Sequence, residues 1–199
     1  MGPRTPIVNG CEFRPDIGVS SAHIDNEQAA AEVMEHLYSL GHTHIGVVTG
    51  PLASPISSDR LTGAKAAAAR HGESEALNIV TGDFSIESGV RETLALLDEE
   101  VRPTAIFCFS DEMAMGALEA IRRRGLRCPQ DVSLVGFDDI RFAQYLDPQL
   151  TTVSQPMDQI GHEVVRLLLD ILSGRASGLQ HVTLPHKLVV RASTGPAPI

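Results

Sequence analysis

The fold is set by residues 128–140, Cys128-Pro129-Gln130-Asp131-Val132-Ser133-Leu134-Val135-Gly136-Phe137-Asp138-Asp139-Ile140, in which a turn is followed by an apolar run and then by two carboxylates. A short apolar run of this kind is typical of a parallel strand covered on both faces. The two carboxylates then lie at the carboxyl end of the strand. In an open α/β sheet small molecules bind at that edge, because the loops diverge there and helix N-termini point into the gap.

The rest of the chain alternates between strand-like and helix-like segments. Apolar strands are predicted to begin near residues 45, 78, 105 and 132, with helices between them. This alternation favours an α/β fold with a parallel, doubly wound sheet and right-handed crossovers. Predicted strands cover residues 6–9, 19–24, 45–48, 77–80, 104–109, 132–137, 151–154 and 182–190, and predicted helices cover residues 26–40, 60–71, 85–97, 113–124 and 160–172.

The two ends of the chain carry separate expectations. Met1-Gly2-Pro3 is interpreted as an artificial leader, and we therefore expect the chain to be a fragment of a longer protein. Pro185 inside the last apolar run implies an edge strand or the entry to a strand. Residues 195–199 are expected to form a frayed tail.

Composition limits the class of protein. The chain has 199 residues, of which 43% are hydrophobic and 21% charged, as in an ordinary globular protein with one good core or two lobes. Its formal charge of −9 argues against direct binding of this chain to a nucleic-acid phosphate backbone, because such binding depends on Lys and Arg. Any DNA contact is therefore expected elsewhere.

Cysteine usage and hydropathy indicate the compartment. Cys11, Cys108 and Cys128 are widely spaced and form no CxxC pair, so neither a disulfide framework nor a thiolate zinc site is predicted. The sequence shows no export signal and no apolar run of about 18 residues. We expect a cytoplasmic protein.

Polar or aromatic groups follow four predicted strands: Thr49-Gly50, Asp83-Phe84, Ser110-Asp111 and Asp138-Asp139. Their convergence on one sheet edge predicts a site. The alternative is that Asp83, Ser110 and Asp111 only cap the helices that follow. Asp138 differs, because no strong helix follows it, and its carboxylate is suited to accept hydrogen bonds from ligand hydroxyls.

Arg60 and Thr62 lie near the start of a predicted helix above the same edge. A guanidinium fork and a hydroxyl suit a polyol, ribose or carboxylate ligand. Alternatively, Arg60 forms an ion pair with Asp138 that ties two loops together, and ligand arrival breaks it. Phe84 can stack on a sugar or base face, or it can fill the core.

Enzyme signatures are absent from the sequence, which contains no GxSxG, P-loop, GxGxxG or HExxH motif. His42 and His44 are a weak indication of a metal site, because two imidazoles lack a third clustered ligand and because His is common at a helix C-terminus. Arg122-Arg123-Arg124 is interpreted as a solvated helix end rather than a nucleic-acid patch. No cofactor and no metal are expected.

Seven motifs lie in register along the chain: His23-Ile24-Asp25-Asn26, Leu40-Gly41-His42, Arg60-Leu61-Thr62-Gly63, Gly82-Asp83-Phe84, Ser110 to Ala117, Pro129 to Asp139, and Leu150-Thr151-Thr152-Val153. In this order and spacing the chain resembles the effector-binding region of the LacI/GalR family of bacterial transcription regulators, from about residue 6 to residue 194. Within the family the chain is most similar to the cytidine and purine repressor branch.

The resemblance implies a periplasmic-binding-protein-like pair of α/β lobes, with the effector in a cleft and three chain crossings. Residues 1–24 and 155–182 then belong to a partial N-terminal lobe, and residues 25–154 and 183–199 to a nearly complete C-terminal lobe. The family's DNA-binding segment and early N-terminal lobe have no counterpart here. The matching effector positions are Arg60, Thr62, Phe84, Asp138, Ser110 and Asn9.

The resulting hypothesis is a non-catalytic sensor of a sugar or nucleoside, which reaches operator DNA only through a segment outside this chain and self-associates as a homodimer. The alternative is a solute-binding protein for a sugar or nucleoside. A sugar- or nucleoside-processing enzyme would need a base and a nucleophile that the sequence does not supply.

Overall fold

A computed structural model describes residues 5–74 and 77–198. The predicted leader at Met1 to Pro3 therefore lies outside the described residues. The chain forms two compact units. One combines the residues up to Asp25 with Gln155–His186, and the other combines Asn26–Ser154 with the residues from Lys187 onwards.

The larger unit contains a six-stranded sheet with the order β4-β3-β5-β6-β7-β9. The first five strands in this order are parallel, and β9 is antiparallel to β7. The predicted α/β class and parallel sheet are confirmed. The strands are β3 (Ile45–Thr49), β4 (Leu77–Thr81), β5 (Ala105–Cys108), β6 (Ser133–Asp138), β7 (Thr151–Ser154) and β9 (Lys187–Val189).

Four helices of the larger unit pack in pairs, α1 with α2 and α3 with α4. Close approach within each pair depends on glycine, since a Cβ on Gly63 of α2 would lie 1.9 Å from the Glu27 carbonyl oxygen of α1. Val47, Phe107 and Leu134 of the sheet are fully buried. The helices are α1 (Asn26–Ser39), α2 (Pro55–His71), α3 (Ile86–Leu97) and α4 (Asp111–Arg123).

The smaller unit has a parallel three-stranded sheet in the order β1-β2-β8. Its strands are β1 (Val8–Gly10), β2 (Ser20–Ile24) and β8 (His181–Leu184), and α5 (Met157–Leu172) packs against all three. Short 3₁₀ turns cover Pro15–Ile17 in this unit and Ala143–Tyr145 in the larger one. None of the helices in the described ranges combines the length and the hydropathy that crossing a bilayer requires.

Three predicted boundaries are wrong. Helix α2 begins at Pro55 rather than near residue 60, because Pro at the first helical position is preorganised for a helix start. Helix α4 begins at Asp111 rather than 113, with Ser110 as its N-cap. The predicted strand 182–190 is two strands in different sheets, β8 and β9, with Pro185 between them. The smaller unit accordingly extends to His186 instead of ending at residue 182.

The predicted frayed tail is also wrong for residues 195–197. The Ala197 N–H donates to the Leu40 carbonyl at 2.9 Å. The Gly195 carbonyl accepts from the Ser133 hydroxyl and from His42 Nε2, and the Gly195 N–H donates to Ser133 Oγ. These bonds tie the segment to the end of α1 and to β6. Ile199 lies outside the described residues.

Candidate functional site

The carboxyl ends of β3, β4, β5 and β6 lie at one edge of the larger sheet, because these strands are parallel neighbours. Asp138 is the last residue of β6, and Ser110 follows β5 after one residue. The predicted convergence of strand ends on one edge is therefore present. Contacts between side chains at this edge show which of the predicted residues lie together.

Arg60 of α2 is held at this edge in a single orientation. Its side chain is only 3% exposed, and its guanidinium carbon lies 3.4 Å from the centroid of the Phe137 ring. Its Nε donates to Asn26 Oδ1 at 2.9 Å, and its Nη1 donates to the Phe109 carbonyl. A buried guanidinium needs such partners, since desolvating an unpaired charge is costly. Stacking on an aromatic face adds a cation–π attraction.

The Arg60 and Asp138 side chains form the predicted ion pair. The Nη2 of Arg60 lies 3.7 Å from Asp138 Oδ1. This distance exceeds the roughly 2.7–2.9 Å of a charge-assisted hydrogen bond. Asp138 keeps 32% of its side-chain surface exposed, whereas Arg60 is buried. A buried cation and a partly exposed anion thus lie side by side, where one hydroxyl group can accept from the first and donate to the second.

Phe84 lies with its ring directly over Gly50. A Cβ on Gly50 would be 2.1 Å from Phe84 Cζ, so only glycine leaves room for the ring there. The Phe84 backbone has a φ of 69°, which few non-glycine residues adopt. The side chain is half-buried. One surface of the ring is therefore packed on the β3 end, and the ring is not fully enclosed in the core.

The capping hypothesis is confirmed for Ser110 and modified for Asp83. The Ser110 hydroxyl accepts from the Met113 N–H at 3.2 Å, as an N-cap does. The cap of α3 is Ser85, and Asp83 instead accepts from the Ser85 N–H at 3.0 Å and from its hydroxyl. These hydrogen bonds lower the pKa of Asp83 to about 2. Both side chains thus have local structural roles.

Asp111 is fully buried at the first position of α4. It accepts hydrogen bonds from the Thr152 hydroxyl at 2.6 Å and from the Ile140 N–H at 2.8 Å. Burial raises the pKa of Asp111 to about 7, although these two hydrogen bonds oppose the increase. Asp111 is therefore more than a cap, since it connects α4 to the turn after β6 and to β7.

Two predicted site residues have other structural surroundings. Thr62 is exposed, and its hydroxyl donates to the Ser58 carbonyl one turn back in α2 at 3.0 Å. Asn9 is in β1 of the smaller unit, opposite Ser21 in the β1–β2 register. Neither residue belongs to the contacts that join Arg60, Asp138 and Phe137.

Sequence reasoning missed Asn26, Phe109 and Phe137 as partners of Arg60. Asn26 lies within a motif that the family resemblance had marked, so a signal for it existed. Phe137 is predicted as an apolar strand residue. The neighbouring sequence does not distinguish an aromatic ring that only packs in the core from one on which a guanidinium stacks. The Phe109 contact is made by a backbone carbonyl and has no side-chain signature.

His42 is a structural residue of the larger unit. It is fully buried, with Nδ1 2.9 Å from Thr104 Oγ1 and Nε2 3.0 Å from the Gly195 carbonyl. Burial lowers the pKa of His42 below 6.5. The helix end at Arg122 and Arg123 is confirmed as the last turn of α4, and Arg123 pairs with Glu119 at 2.9 Å.

Comparison with known proteins gives the same family as the motifs. A family model described as a periplasmic binding protein-like domain matches residues 34–194. The HTH-type transcriptional repressor CytR of Escherichia coli (strain K12) is 41% identical over 194 residues, which cover 97% of this chain and 57% of CytR. The HTH-type transcriptional repressor PurR of Klebsiella pneumoniae subsp. pneumoniae is 40% identical over 181 residues, covering 90% of this chain and 53% of PurR. The chain thus spans little more than half the length of these curated relatives.

Solved structures decide the assignment. A regulatory protein of the LacI family from Chloroflexus aggregans superposes with a TM-score of 0.84 at 35% identity, covering 96% of this chain and 69% of that one. This chain belongs to the LacI family. It corresponds to the effector-binding region of the family's repressors, and the predicted periplasmic-binding-protein-like fold is confirmed.

Two further LacI family structures were solved with ligands. A regulator from Enterococcus faecium with bound ribose has a TM-score of 0.82 at 30% identity, covering 89% of this chain and 66% of that one. The lac repressor dimer bound to operator and the anti-inducer ONPF has a TM-score of 0.83 at 34% identity, covering 90% of this chain and 62% of that one.

Proposed function

We propose that this chain binds a hydroxyl-rich small molecule, a sugar or a nucleoside, as the effector sensor of a bacterial transcription regulator. The observation that carries the proposal is the fixed Arg60 guanidinium beside the partly exposed Asp138 carboxylate, at 3.7 Å. A binding site gains affinity when its polar groups are held in place before the ligand arrives. Arg60 meets this condition through Asn26, Phe109 and Phe137.

The proposed contacts divide into polar anchors and an apolar surface. Arg60 donates to ligand hydroxyls, and Asp138 accepts from neighbouring ones. Phe84 covers an apolar face of the sugar or base, and its packing on Gly50 fixes the ring. Thr62, Ser110 and Asn9 are proposed as additional contacts, and of these the Ser110 hydroxyl already accepts one hydrogen bond as an N-cap.

The ligand class is supported by the LacI family. Ribose is bound by the Enterococcus faecium regulator, which is 30% identical to this chain. A sugar hydroxyl both donates and accepts hydrogen bonds, so an adjacent cation and anion can recognise the same group. Neither group needs a metal or a cofactor for this, and no catalytic step is proposed.

We propose that the protein acts as a homodimer and contacts operator DNA through a segment outside this chain. The lac repressor dimer bound to operator supports this arrangement. A two-fold symmetric regulator matches a palindromic operator, and effector binding changes DNA affinity by stabilising one conformation over another. A regulator of this kind works in the cytoplasm, where its operator is.

A solute-binding protein is the second candidate function, because the matching family model is described as periplasmic binding protein-like. The two functions differ in what lies upstream in the gene, a helix-turn-helix or an export signal. The test is a gel-shift assay of the full-length gene product on the DNA upstream of its own gene, with and without a panel of sugars and nucleosides. A regulator gives a shift that one panel member changes. A protein that gives no shift, and whose gene begins with an export signal, would be a solute-binding protein.

A further inference from the structure

The end of β6 and the turn that follows it contain two neighbouring residues with left-handed backbones. Asp138 has a φ of 111° and Asp139 a φ of 55°, and neither is glycine. Such conformations are sparsely populated and persist only when the surrounding structure holds them. The turn that carries the Asp138 carboxylate is therefore held by contacts from other elements.

Asp111 supplies the first of these contacts from the start of α4. Its Oδ2 accepts from the Ile140 N–H at 2.8 Å, and its Oδ1 accepts from the Thr152 hydroxyl at 2.6 Å. The Thr152 hydroxyl in turn accepts from the Asp139 N–H at 3.4 Å. A Cβ on Gly136 would lie 2.2 Å from Asp111 Oδ1, so the absence of a side chain there leaves room for the carboxylate. One buried carboxylate thus holds two consecutive backbone amides of the turn.

Arg191 supplies the second contact, after β9. Its Nη2 lies 2.7 Å from Asp139 Oδ1, and its Nη1 donates to the Leu150 carbonyl at 2.7 Å. The two side chains of this ion pair are only 17% and 21% exposed. Partial burial reduces screening by solvent, so the pair is stronger than a pair on the open surface. The Asp139 side chain is therefore fixed by Arg191, and its backbone N–H by Thr152.

We propose that Asp111 and Arg191 are positioning residues that hold the 138–140 turn and thereby direct the Asp138 carboxylate at the effector beside Arg60. The inference rests on the proposed function, in which Asp138 contacts the effector. Asp111 is fully buried and acts only through Ile140 and Thr152. Affinity for the effector then depends on residues that do not touch it.

The charges around Asp111 make its role measurable. The titratable groups near Asp111 include Asp138 at the end of β6, Asp139 on the turn and the Cys108 thiol on β5. Arg191 forms its ion pair with Asp139. Burial raises the pKa of Asp111 to about 7, the hydrogen bonds from Thr152 and Ile140 oppose this, and the two neighbouring carboxylates add to it. Protonation removes the negative charge that both donors point at. The hydrogen bond to Ile140 therefore weakens as the pH falls through about 7.

Amide NMR on the ligand-free chain tests whether Asp111 holds the turn. From about pH 5.5 to about pH 8.5, the Ile140 amide proton of the unaltered chain should titrate with a midpoint near neutrality. Asp111→Asn should abolish that titration, and Asp111→Ala should shift the amides of residues 138–140. Glu119→Gln, an exposed carboxylate on the same helix, is the control and should leave the titration in place. Amides of residues 138–140 that stay unshifted in Asp111→Ala, or an Ile140 amide that titrates equally in Asp111→Asn, would overturn the proposal.

Calorimetric titration with D-ribose and with cytidine tests the effect on binding. Asp111→Ala and Arg191→Ala should each weaken affinity by about tenfold or more, whereas Asp111→Asn, which keeps the shape and an acceptor for Ile140, should stay within about threefold. If Asp111→Ala binds within about twofold while Arg60→Ala loses binding, the positioning proposal is wrong and the proposed function stands. If a probe binds and Arg60→Ala retains its affinity, the proposed function is wrong, and the amide shifts in Asp111→Ala alone decide whether Asp111 holds the turn.

Discussion

The Phe84 ring occupies the space where a side chain at position 50 would lie. Replacing Gly50 by Ala would place a Cβ 2.1 Å from Phe84 Cζ, so the ring must move. Overpacking of this kind costs about 1–3 kcal/mol. We expect Gly50→Ala to lower the free energy of unfolding in urea by that amount and to weaken effector binding.

Gly195→Ala is the matched control for this substitution. It lies in the same unit, and a Cβ there would make only ordinary contacts, the nearest being 3.4 Å from Pro129. Its free energy of unfolding should change by less than about 0.5 kcal/mol. Equal losses in the two variants would mean that the Phe84 ring is not fixed by Gly50.

At the scale of single residues, the sequence predicts where a residue lies in the fold better than it predicts which side chains it contacts. Asp138 was expected at a strand end beside Arg60, and the ion pair is present because both elements are defined by local patterns. The left-handed φ of Asp138 and the buried carboxylate of Asp111 were not predicted. Both depend on contacts between α4, β6 and β7, which are distant in sequence, and no local pattern encodes them.

His42 shows how one side chain joins several elements. It precedes β3 and contacts Thr104 before β5, Ser133 of β6 and Gly195 near the C-terminal end. His42→Ala removes these bonds and leaves buried partners unsatisfied, at a cost of about 1–3 kcal/mol. His44→Ala, an exposed residue of the same loop, is the control and should have little effect. Urea denaturation at pH 8 measures both.

The His42 contribution should also depend on pH. Burial lowers its pKa in the folded chain below the ordinary value of 6.5, so the unfolded chain binds the proton more readily. Stability from His42 is then present above pH 6.5 and is lost as the pH falls through the folded-state pKa. The difference in unfolding free energy between the unaltered chain and His42→Ala should shrink on going from pH 8 to pH 5. A difference that grows on acidification would contradict this assignment.

At the scale of elements, hydrophobic periodicity identified the five α-helices of the described residues, but it misplaced boundaries where other rules apply. The start of α2 is set by a proline in the first turn, which a search for apolar spacing overlooks. The run from 182 to 190 is predicted as one strand, yet its two halves belong to different sheets. Sheet membership depends on which strand pairs with which, and a single strand pattern does not contain that information.

At the scale of the whole molecule, self-association is the property that follows from the proposed regulator. A homodimer should have twice the 21.3 kDa mass of the chain. Size-exclusion chromatography with light scattering at tens of micromolar measures that mass directly. A monomer under these conditions would contradict dimerisation by this chain, which spans 57% of CytR and 53% of PurR.

Effector affinity is the whole-molecule property that depends most directly on the proposed anchors. Arg60 is 3% exposed, and removing its side chain takes away the donor to Asn26 Oδ1 and the Phe109 carbonyl as well as the cation that lies 3.7 Å from Asp138. Truncating one partner of a buried charge pair costs about 2–5 kcal/mol of binding. Lys65→Ala, an exposed cation on the same helix, is the matched control.

The most direct test is calorimetric titration of the unaltered protein, Arg60→Ala, Asp138→Ala and Lys65→Ala with a panel of monosaccharides and nucleosides that includes D-ribose and cytidine. We expect one panel member to bind the unaltered protein and Lys65→Ala with the same affinity. Arg60→Ala and Asp138→Ala should each lose about 2–5 kcal/mol of its binding free energy. A ligand that binds both of these variants within about twofold of the unaltered protein, far less than the 1.4 kcal/mol of a tenfold change, would contradict the account.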